Sequence, residues 1–142
     1  MLNSESAAYI AGLFDGEGSI QCKQGWERKK KHKGKGYRKS YSWRITMEIT
    51  MTDYSVLAWV LETLGVGTIT KKPRKGLRRD GTKYLMQWRW RCSFRDAYYV
   101  CKVIWPYAHV KLDKVQQIIE HYAKQKLNKD NLIDFEHYKI LK

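Results

Sequence analysis

Cysteine and proline are both scarce in this sequence, with three cysteines and two prolines among 142 residues. Cys22, Cys92 and Cys101 are odd in number and lack the close spacing of metal ligands, which argues against a disulfide framework and against a zinc site. The four histidines are scattered along the chain and do not change this conclusion. We therefore expect three reduced thiols in a cytosol-like compartment.

Long apolar runs are also missing, and no stretch approaches the roughly 18 apolar residues that a membrane span requires. The first ten residues, MLNSESAAYI, lack the basic segment and the apolar stretch of a secretory signal. Since 43% of the residues are hydrophobic, a chain of this length can bury a core without cross-links. We expect a single domain over residues 1–142 and no membrane partner.

The segments of the chain that are rich in lysine and arginine contain few acidic residues. The formal net charge is +14, from 28 Lys and Arg against 14 Asp and Glu. Residues 23–44 and 71–95 together hold 20 of these cations and only 2 of the acids, and the rest of the chain is mildly acidic. A basic half of this kind predicts a polyanion-binding surface.

Two different periodicities divide the chain into helices and hairpins. Helical spacing of apolar residues predicts helices over 4–14, 52–65, 95–105 and 112–126, and a short last helix in the polar tail from Asn128. Thr52 or Asp53 caps the second of these helices, and Gly65 ends it. Alternation predicts a first hairpin from Ser19 to Thr50 with its turn in 33–39, and a second over 66–94 with its turn at Asp80-Gly81. Four antiparallel strands with helices on one face make an α+β domain.

The two clearest strands each have an apolar face and a polar face. Ile45, Met47 and Ile49 alternate with polar residues in one, and Trp88 and Trp90 in the other are expected in the core. The polar face offers Arg, Gln, Ser and Thr, which hydrogen-bond base edges, on strands that fit the major groove. A water-facing sheet would mix both charge signs, so nucleic-acid binding is favoured over solvation. The residues predicted to contact DNA are Gln21, Lys23, Arg28, Lys30, Arg38, Ser40, Ser42, Arg44, Thr46, Glu48, Thr68, Thr70, Lys72, Arg74, Arg78, Arg79, Lys83, Gln87, Arg89 and Arg91.

The segment IAGLFDGEG, Ile10 to Gly18, places two acids and two glycines in alternation directly after an apolar helix. It resembles, position by position, the LAGLIDADG motif of homing endonucleases. The predicted element order resembles that family's core, and LETLGVGTI (61–69) and WPYAHVKLDKVQQIIE (105–120) extend the resemblance over most of the chain. The resemblance implies an αββαββα fold with a saddle-shaped sheet and an intron-encoded, site-specific double-strand DNA endonuclease.

Small residues on one face of the first helix, Ala8, Ala11 and Gly12, allow two helices to approach closely. The motif occurs once, so the second helix is expected from another chain, and the resemblance implies a homodimer whose interface also includes Asp15. The implied partner is double-stranded DNA with a long pseudo-palindromic target, cut to leave short 3′ overhangs, with no small-molecule substrate. The protein is then expected in the cytoplasm or in the organellar matrix that holds the host DNA.

One Glu17 from each chain would lie near the two-fold axis, and two carboxylates beside a phosphodiester repel unless cations lie between them. Mg²⁺ suits such a site because it prefers oxygen ligands and keeps several waters, and Mn²⁺ or Ca²⁺ can substitute for binding. By resemblance, Glu17 and the carbonyl of Gly18 are the metal ligands, Glu17 and Lys111 are catalytic, and Asp15 makes structural hydrogen bonds near the helix ends.

One position departs from the family's pattern. The family often has a glutamine that orders active-site water, and the matching residue here is Met51, which cannot do so. Either a polar neighbour such as Thr50 or Thr52 substitutes, or cleavage is weak. An RNA maturase or a DNA-binding regulator on the same scaffold therefore stays an alternative. A structural RNA-binding protein explains the charge but gives no role to Asp15-Gly16-Glu17-Gly18.

Overall fold

The structure, a computed structural model, describes residues 2–30 and 36–130. Its helices and strands follow in the order α1 (Ser4–Glu17), β1 (Gly18–Lys30), β2 (Tyr37–Met51), α2 (Tyr54–Leu64), β3 (Thr68–Lys72), β4 (Gln87–Ser93), α3 (Arg95–Ile104) and α4 (Leu112–Asp130). A short 3-10 helix, Trp105–Tyr107, separates α3 from α4 at the predicted break around Pro106. Residues 131–142, which include most of the predicted last helix, and 31–35 in the predicted hairpin turn lie outside the described residues.

The four strands form one antiparallel sheet in the order β1-β2-β4-β3. Each hairpin contributes one inner and one outer strand, and β2 and β4 join the two hairpins at the centre. The predicted second turn is present, because Gly81 donates its N–H to the carbonyl of Arg78 at 2.9 Å and Leu77 pairs with Lys83. The predicted α+β class with a four-stranded antiparallel sheet is confirmed.

The core lies between one face of the sheet and the helices. Ile45, Met47 and Ile49 of β2 and Trp90 of β4 are fully buried there, as the alternation predicts. The Phe14 ring of α1 meets the Trp90 ring edge-on, with ring centroids 5.8 Å apart. Each of these side chains contributes about 1.5–3 kcal/mol through removal of apolar surface from water.

The apolar face is shorter than the sequence predicts. Strand β4 begins at Gln87, whereas alternation was expected from Tyr84, and Met86 is 43% exposed in the preceding loop. Phe94 follows the strand and is 52% exposed. On β2, Tyr41 is 54% exposed. Within the described residues, the helices cover the middle of the long hairpin, and alternation in sequence does not reveal where that cover ends.

All three cysteines are free. Removal from water raises the pKa of Cys92 to about 12 and raises that of the fully buried Cys101 well above its ordinary value. Both side chains act as small apolar groups in the core. Among the described residues, no helix combines the length and the apolar character needed to cross a bilayer.

Replacement of Gly67, between α2 and β3, is expected to cost stability. Its φ is +98°, and an added Cβ would collide with Nε1 of Trp90 and lie 2.6 Å from Cε2 of the same ring. That ring donates from Nε1 to the carbonyl of Val66 at 3.1 Å, so it cannot move without losing the bond. We expect Gly67→Ala to lower the free energy of unfolding by roughly 3 kcal/mol in urea denaturation.

Gly76→Ala is the matched control, since Gly76 also has a positive φ of 89° but has open space around it. Backbone strain alone should cost it about 1 kcal/mol. Equal losses in the two variants would show that the Trp90 contact does not restrict position 67.

Candidate metal centre and nucleic-acid interface

Glu17 is the last residue of α1, and its side chain is exposed. Helix α1 is three residues longer than predicted and passes directly into β1, so Glu17 lies at the junction of helix and sheet. Gly18 makes this junction possible, because its N–H donates to the carbonyl of Phe14 and a Cβ would lie 2.6 Å from the Phe14 Cα. Only glycine permits so close an approach of the strand to the helix end.

Asp15 connects this helix end to a segment almost a hundred residues away. Its two carboxylate oxygens accept hydrogen bonds from the backbone N–H groups of His109 and Lys111, each at 2.9 Å. These bonds fix the start of α4 against the end of α1. Both carboxylate oxygens of Asp15 are therefore engaged within its own chain.

Lys111 is brought to the end of α1 by these bonds, and its side chain is partly buried. The described part of one chain contains no cluster of three or more His, Cys, Asp or Glu side chains that could hold a metal ion. The oxygen donors predicted here, the Glu17 carboxylate and the Gly18 carbonyl, belong to the hard class that Mg²⁺ prefers. These donors fit a magnesium ion that keeps several waters and takes further ligands from elsewhere.

The exposed face of α1 differs in one residue from the predicted interface. Ala8 and Gly12 are exposed, and an added Cβ at Gly12 would have no atom within 4 Å. Ala11, by contrast, is fully buried in the core of its own chain. Its assignment to the interface is corrected, since a side chain that packs under the helix cannot contact a partner on the outside.

The polar face of the sheet is a set of rows across the strands. In one row Glu48 of β2 is paired with Arg91 of β4, which is paired with Thr68 of β3. The neighbouring rows are Gln21–Thr46–Ser93, Thr50–Arg89–Thr70 and Gln87–Lys72, and Lys23 with Arg44, Ser42 and Ser40 continue the face along the first hairpin. The register therefore brings most of the predicted contact residues onto one surface.

Two acids hold arginines of this face in place. Arg44 forms a two-point ion pair with Glu27, with Nη2 and Nε at 2.8 and 3.1 Å from the same oxygen, and Ser42 donates to the other oxygen at 3.3 Å. Arg89 lies 4.0 Å from Glu48. Within the described residues, the buried Nε atoms of Arg89 and Arg91 make no hydrogen bond.

Two predicted contact residues do not belong to the exposed polar face. Arg28 pairs with Lys39, which places it on the opposite face, because the side chains of a strand alternate. Thr46 shares the polar face but is only 7% exposed. The side chains of Lys30 and Arg38, also predicted to contact DNA, lie outside the described part of the structure.

The loop between β3 and β4 extends the cationic surface beyond the strands. Arg74, Arg78, Arg79 and Lys83 are all exposed in residues 73–86. The Arg74 guanidinium lies 3.9 Å from the centre of the Tyr84 ring, a cation–π contact that orders one part of the loop. Exposed lysines and arginines of this kind contact phosphates and add affinity without sequence choice.

Two functional contacts were missed from sequence. Glu27 is one of the two acids in the basic segments, and its alternation with Lys23 and its place opposite Ser40 put it on the polar face. The bond of Asp15 to His109 has no sequence signal, since it joins residues 94 apart.

Comparisons with known proteins come from sequence and from structure. The sequence model of the family described as LAGLIDADG endonuclease matches residues 10–87. No curated protein sequence matches. The homing endonuclease I-CvuI, in complex with its target in the presence of calcium, has a similar structure, with a TM-score of 0.55 and 17% identity over 96% of this chain and 91% of that chain.

Two further structures are similar. The group I intron-encoded homing endonuclease I-CeuI complexed with DNA has a TM-score of 0.54 and 20% identity over 92% of this chain and 58% of that chain. The archaeal intron-encoded I-Vdi141I complexed with DNA has a TM-score of 0.53 and 18% identity over 89% and 70%. At these identities the likeness establishes a shared fold.

Proposed function

This chain belongs to the LAGLIDADG endonuclease family, and from that premise we propose that it is a site-specific DNA endonuclease that acts as a homodimer with a divalent metal. The observation that carries the proposal is the position of Glu17. Its exposed carboxylate lies at the junction of α1 and β1, the strand that carries Gln21 and Lys23 of the polar face. An acid in that position has no role in simple phosphate binding, but it is placed to hold a cation beside a bound phosphodiester.

The proposed homodimer would supply the second Glu17 that one chain lacks. One motif supplies one Glu17, and the exposed Ala8 and Gly12 on the same helix allow a second α1 to pack closely. A two-fold axis along this face would bring the two Glu17 side chains together. The same symmetry would place two polar sheet faces along one duplex, so the target is expected to be long and pseudo-palindromic.

The polar sheet face supplies the reading of sequence. The similar structures of I-CvuI, I-CeuI and I-Vdi141I are described as complexes with a target or with DNA. On this chain the strand rows offer Arg, Gln and Thr side chains to base edges, and the loop 73–86 offers cations to phosphates. The proposed substrate is therefore duplex DNA bound in the major groove.

The proposed chemistry is hydrolysis of one phosphodiester in each strand, which leaves short 3′ overhangs. When bound, Mg²⁺ activates water and neutralises the scissile phosphate. Glu17 and the Gly18 carbonyl would hold the ion. Lys111 would place its ammonium near the phosphate, and Asp15 fixes the backbone of Lys111 through its N–H.

The direct test is cleavage of a plasmid library with randomised inserts, with Mg²⁺ and with EDTA. We expect cutting at a small set of related sequences in Mg²⁺ only. Tight binding without cleavage of any member would refute the nuclease and favour the second candidate, a binding protein such as a maturase or a DNA-binding regulator. Met51 is the observation behind that candidate, because it is paired with Trp88 and packs against the core, leaving Thr50 as the polar neighbour on the sheet face.

Arg91→Ala is expected to relax sequence choice at one base pair of each half-site. Arg91 lies between Glu48 and Thr68 in the middle of a row of the polar face, and its side chain is half-buried. The loss of a two-point contact to guanine should weaken binding to the preferred duplex by roughly ten- to hundredfold. Affinities for a set of single-base variants of the target measure this loss.

Lys72→Ala is the control for that measurement, since Lys72 is exposed at the edge of the same face. We expect it to weaken all duplexes alike and to reduce the salt dependence by about one counterion. If Arg91→Ala also weakened all sequences equally, Arg91 would be a phosphate contact.

A further inference from the structure

The outer part of the long hairpin carries two exposed aromatic rings on the face opposite the polar face. Trp26 of β1 pairs directly with Tyr41 of β2, and their ring centroids are 5.2 Å apart at 45°. Trp26 is 71% exposed and Tyr41 is 54% exposed. A cross-strand aromatic pair stabilises a hairpin, but that role does not require most of the ring surface to face water.

Helix α4 packs on the inner part of this face of the hairpin. Trp43, the next residue of β2 on this face toward the core, has its ring 4.5 Å from the His121 ring of α4 and is 38% exposed. Ile45, one step further, is fully buried. The described side chains of α4 therefore cover the hairpin as far as Trp43, and the aromatic pair lies beyond them.

Two cations flank the aromatic pair. Arg28 and Lys39 are paired in the next position of the same face, and both are exposed. An open cavity of about 460 Å³ is lined by Trp26, Arg28 and Lys39, together with Glu27. The Glu27 carboxylate belongs to the polar face, where Arg44 and Ser42 hold it. We call Trp26, Tyr41, Arg28 and Lys39 the hairpin platform.

Exposed rings beside cations fit unpaired nucleotides. A base in a duplex is stacked on both sides by its neighbours, whereas an unpaired base offers its face to an aromatic ring and its phosphate to a nearby cation. The cavity is large enough for one nucleotide. We propose that the hairpin platform binds single-stranded nucleic acid, on a surface separate from the duplex-binding face and independent of cleavage.

The test measures binding of fluorescently labelled oligomers of about twelve unpaired thymidines or uridines by anisotropy. It is run at roughly 0.3 M salt, where contacts to phosphate alone are weak. Trp26→Ala is expected to weaken binding of the oligomer roughly tenfold or more. Trp26→Leu keeps an apolar residue in the hairpin but has no ring, and should show the same loss, whereas Trp26→Phe should retain most of the binding.

Duplex binding and Leu77→Ala provide the controls. Leu77 is 60% exposed in the loop 73–86, and its replacement should leave oligomer binding unchanged. Duplex affinity should stay within about twofold in all Trp26 variants, and a labelled oligomer should still bind when excess unlabelled duplex is present. Comparison of the thymidine and uridine oligomers shows whether the preferred single strand is DNA or RNA, and tighter binding of either one supports the hairpin platform.

Three results would overturn the proposal. Unchanged oligomer binding in Trp26→Ala would assign the rings to a protein contact. Retained binding in Trp26→Leu would show that stacking is not the interaction. Equal losses for oligomer and duplex would make the hairpin platform part of the duplex interface. A protein that cuts no DNA can still pass this test, so its failure is distinct from failure of the proposed endonuclease.

Discussion

The Glu17→Gln protein is expected to bind its DNA target as tightly as the parent and to leave it uncut. Glu17 is exposed at the end of α1 and has no described ion pair, so the amide should not disturb the fold. Glutamine has nearly the same shape but loses the charge that holds a divalent cation. Loss of that stabilisation should reduce the cleavage rate by roughly a thousandfold or more.

Single-turnover cleavage of a mapped target, followed over a range of Mg²⁺ concentrations, measures this loss. Glu62→Gln is the matched control, because Glu62 is an exposed acid of α2. It should cut at the parental rate. If Glu17→Gln also cut at that rate, the metal assignment would be wrong even with the family correct.

The two acids of the motif have separate roles because a helix separates them. Residues two apart point to nearly opposite sides of a helix. Asp15 therefore faces the start of α4 and accepts two backbone hydrogen bonds, while Glu17 faces solvent. Replacement of Asp15 would act on cleavage through the position of Lys111, whereas replacement of Glu17 acts on the proposed metal site directly.

The order of helices and strands could be predicted from sequence because each element carries its own periodicity. Alternation in β2 alone predicts that Ile45, Met47 and Ile49 pack under the helices. The positions of Gly65 and Gly81 follow from local helix-end and turn chemistry. Local signals of this kind do not depend on the rest of the chain.

The incorrect residue assignments depend on strand register and helix orientation, which only the folded chain shows. Arg28 is predicted to contact DNA because it lies in a basic segment, but the register with β2 places it on the face opposite the polar face. Ala11 was assigned to a partner helix because it is small, but its angle around α1 directs it into the core. Composition indicates what a surface binds, and only register and helix phase decide which residues belong to it.

Gly12→Arg is expected to convert the protein to a monomer that neither dimerises nor cuts both strands. The parent should sediment at twice the chain mass of 16.9 kDa and the variant at the chain mass itself. Two α1 helices in close contact leave no space for a long side chain, and two facing guanidinium groups repel. Sedimentation equilibrium and double-strand cleavage are measured on the same preparations.

The fold of the single chain is expected to tolerate Gly12→Arg, so loss of the dimer would not be a result of unfolding. An added Cβ at Gly12 meets nothing within 4 Å, and the position is exposed. Arginine is a better helix former than glycine by about 0.8 kcal/mol, so the monomer should not lose stability.

Gly12→Ala should stay a dimer, and Gln117→Arg, which adds the same charge on an exposed position of α4, should change neither mass nor cleavage. A Gly12→Arg protein that remained a dimer and cut both strands would place the interface elsewhere. A monomer with an unchanged melting curve would show that Gly12 serves the partner and not the fold.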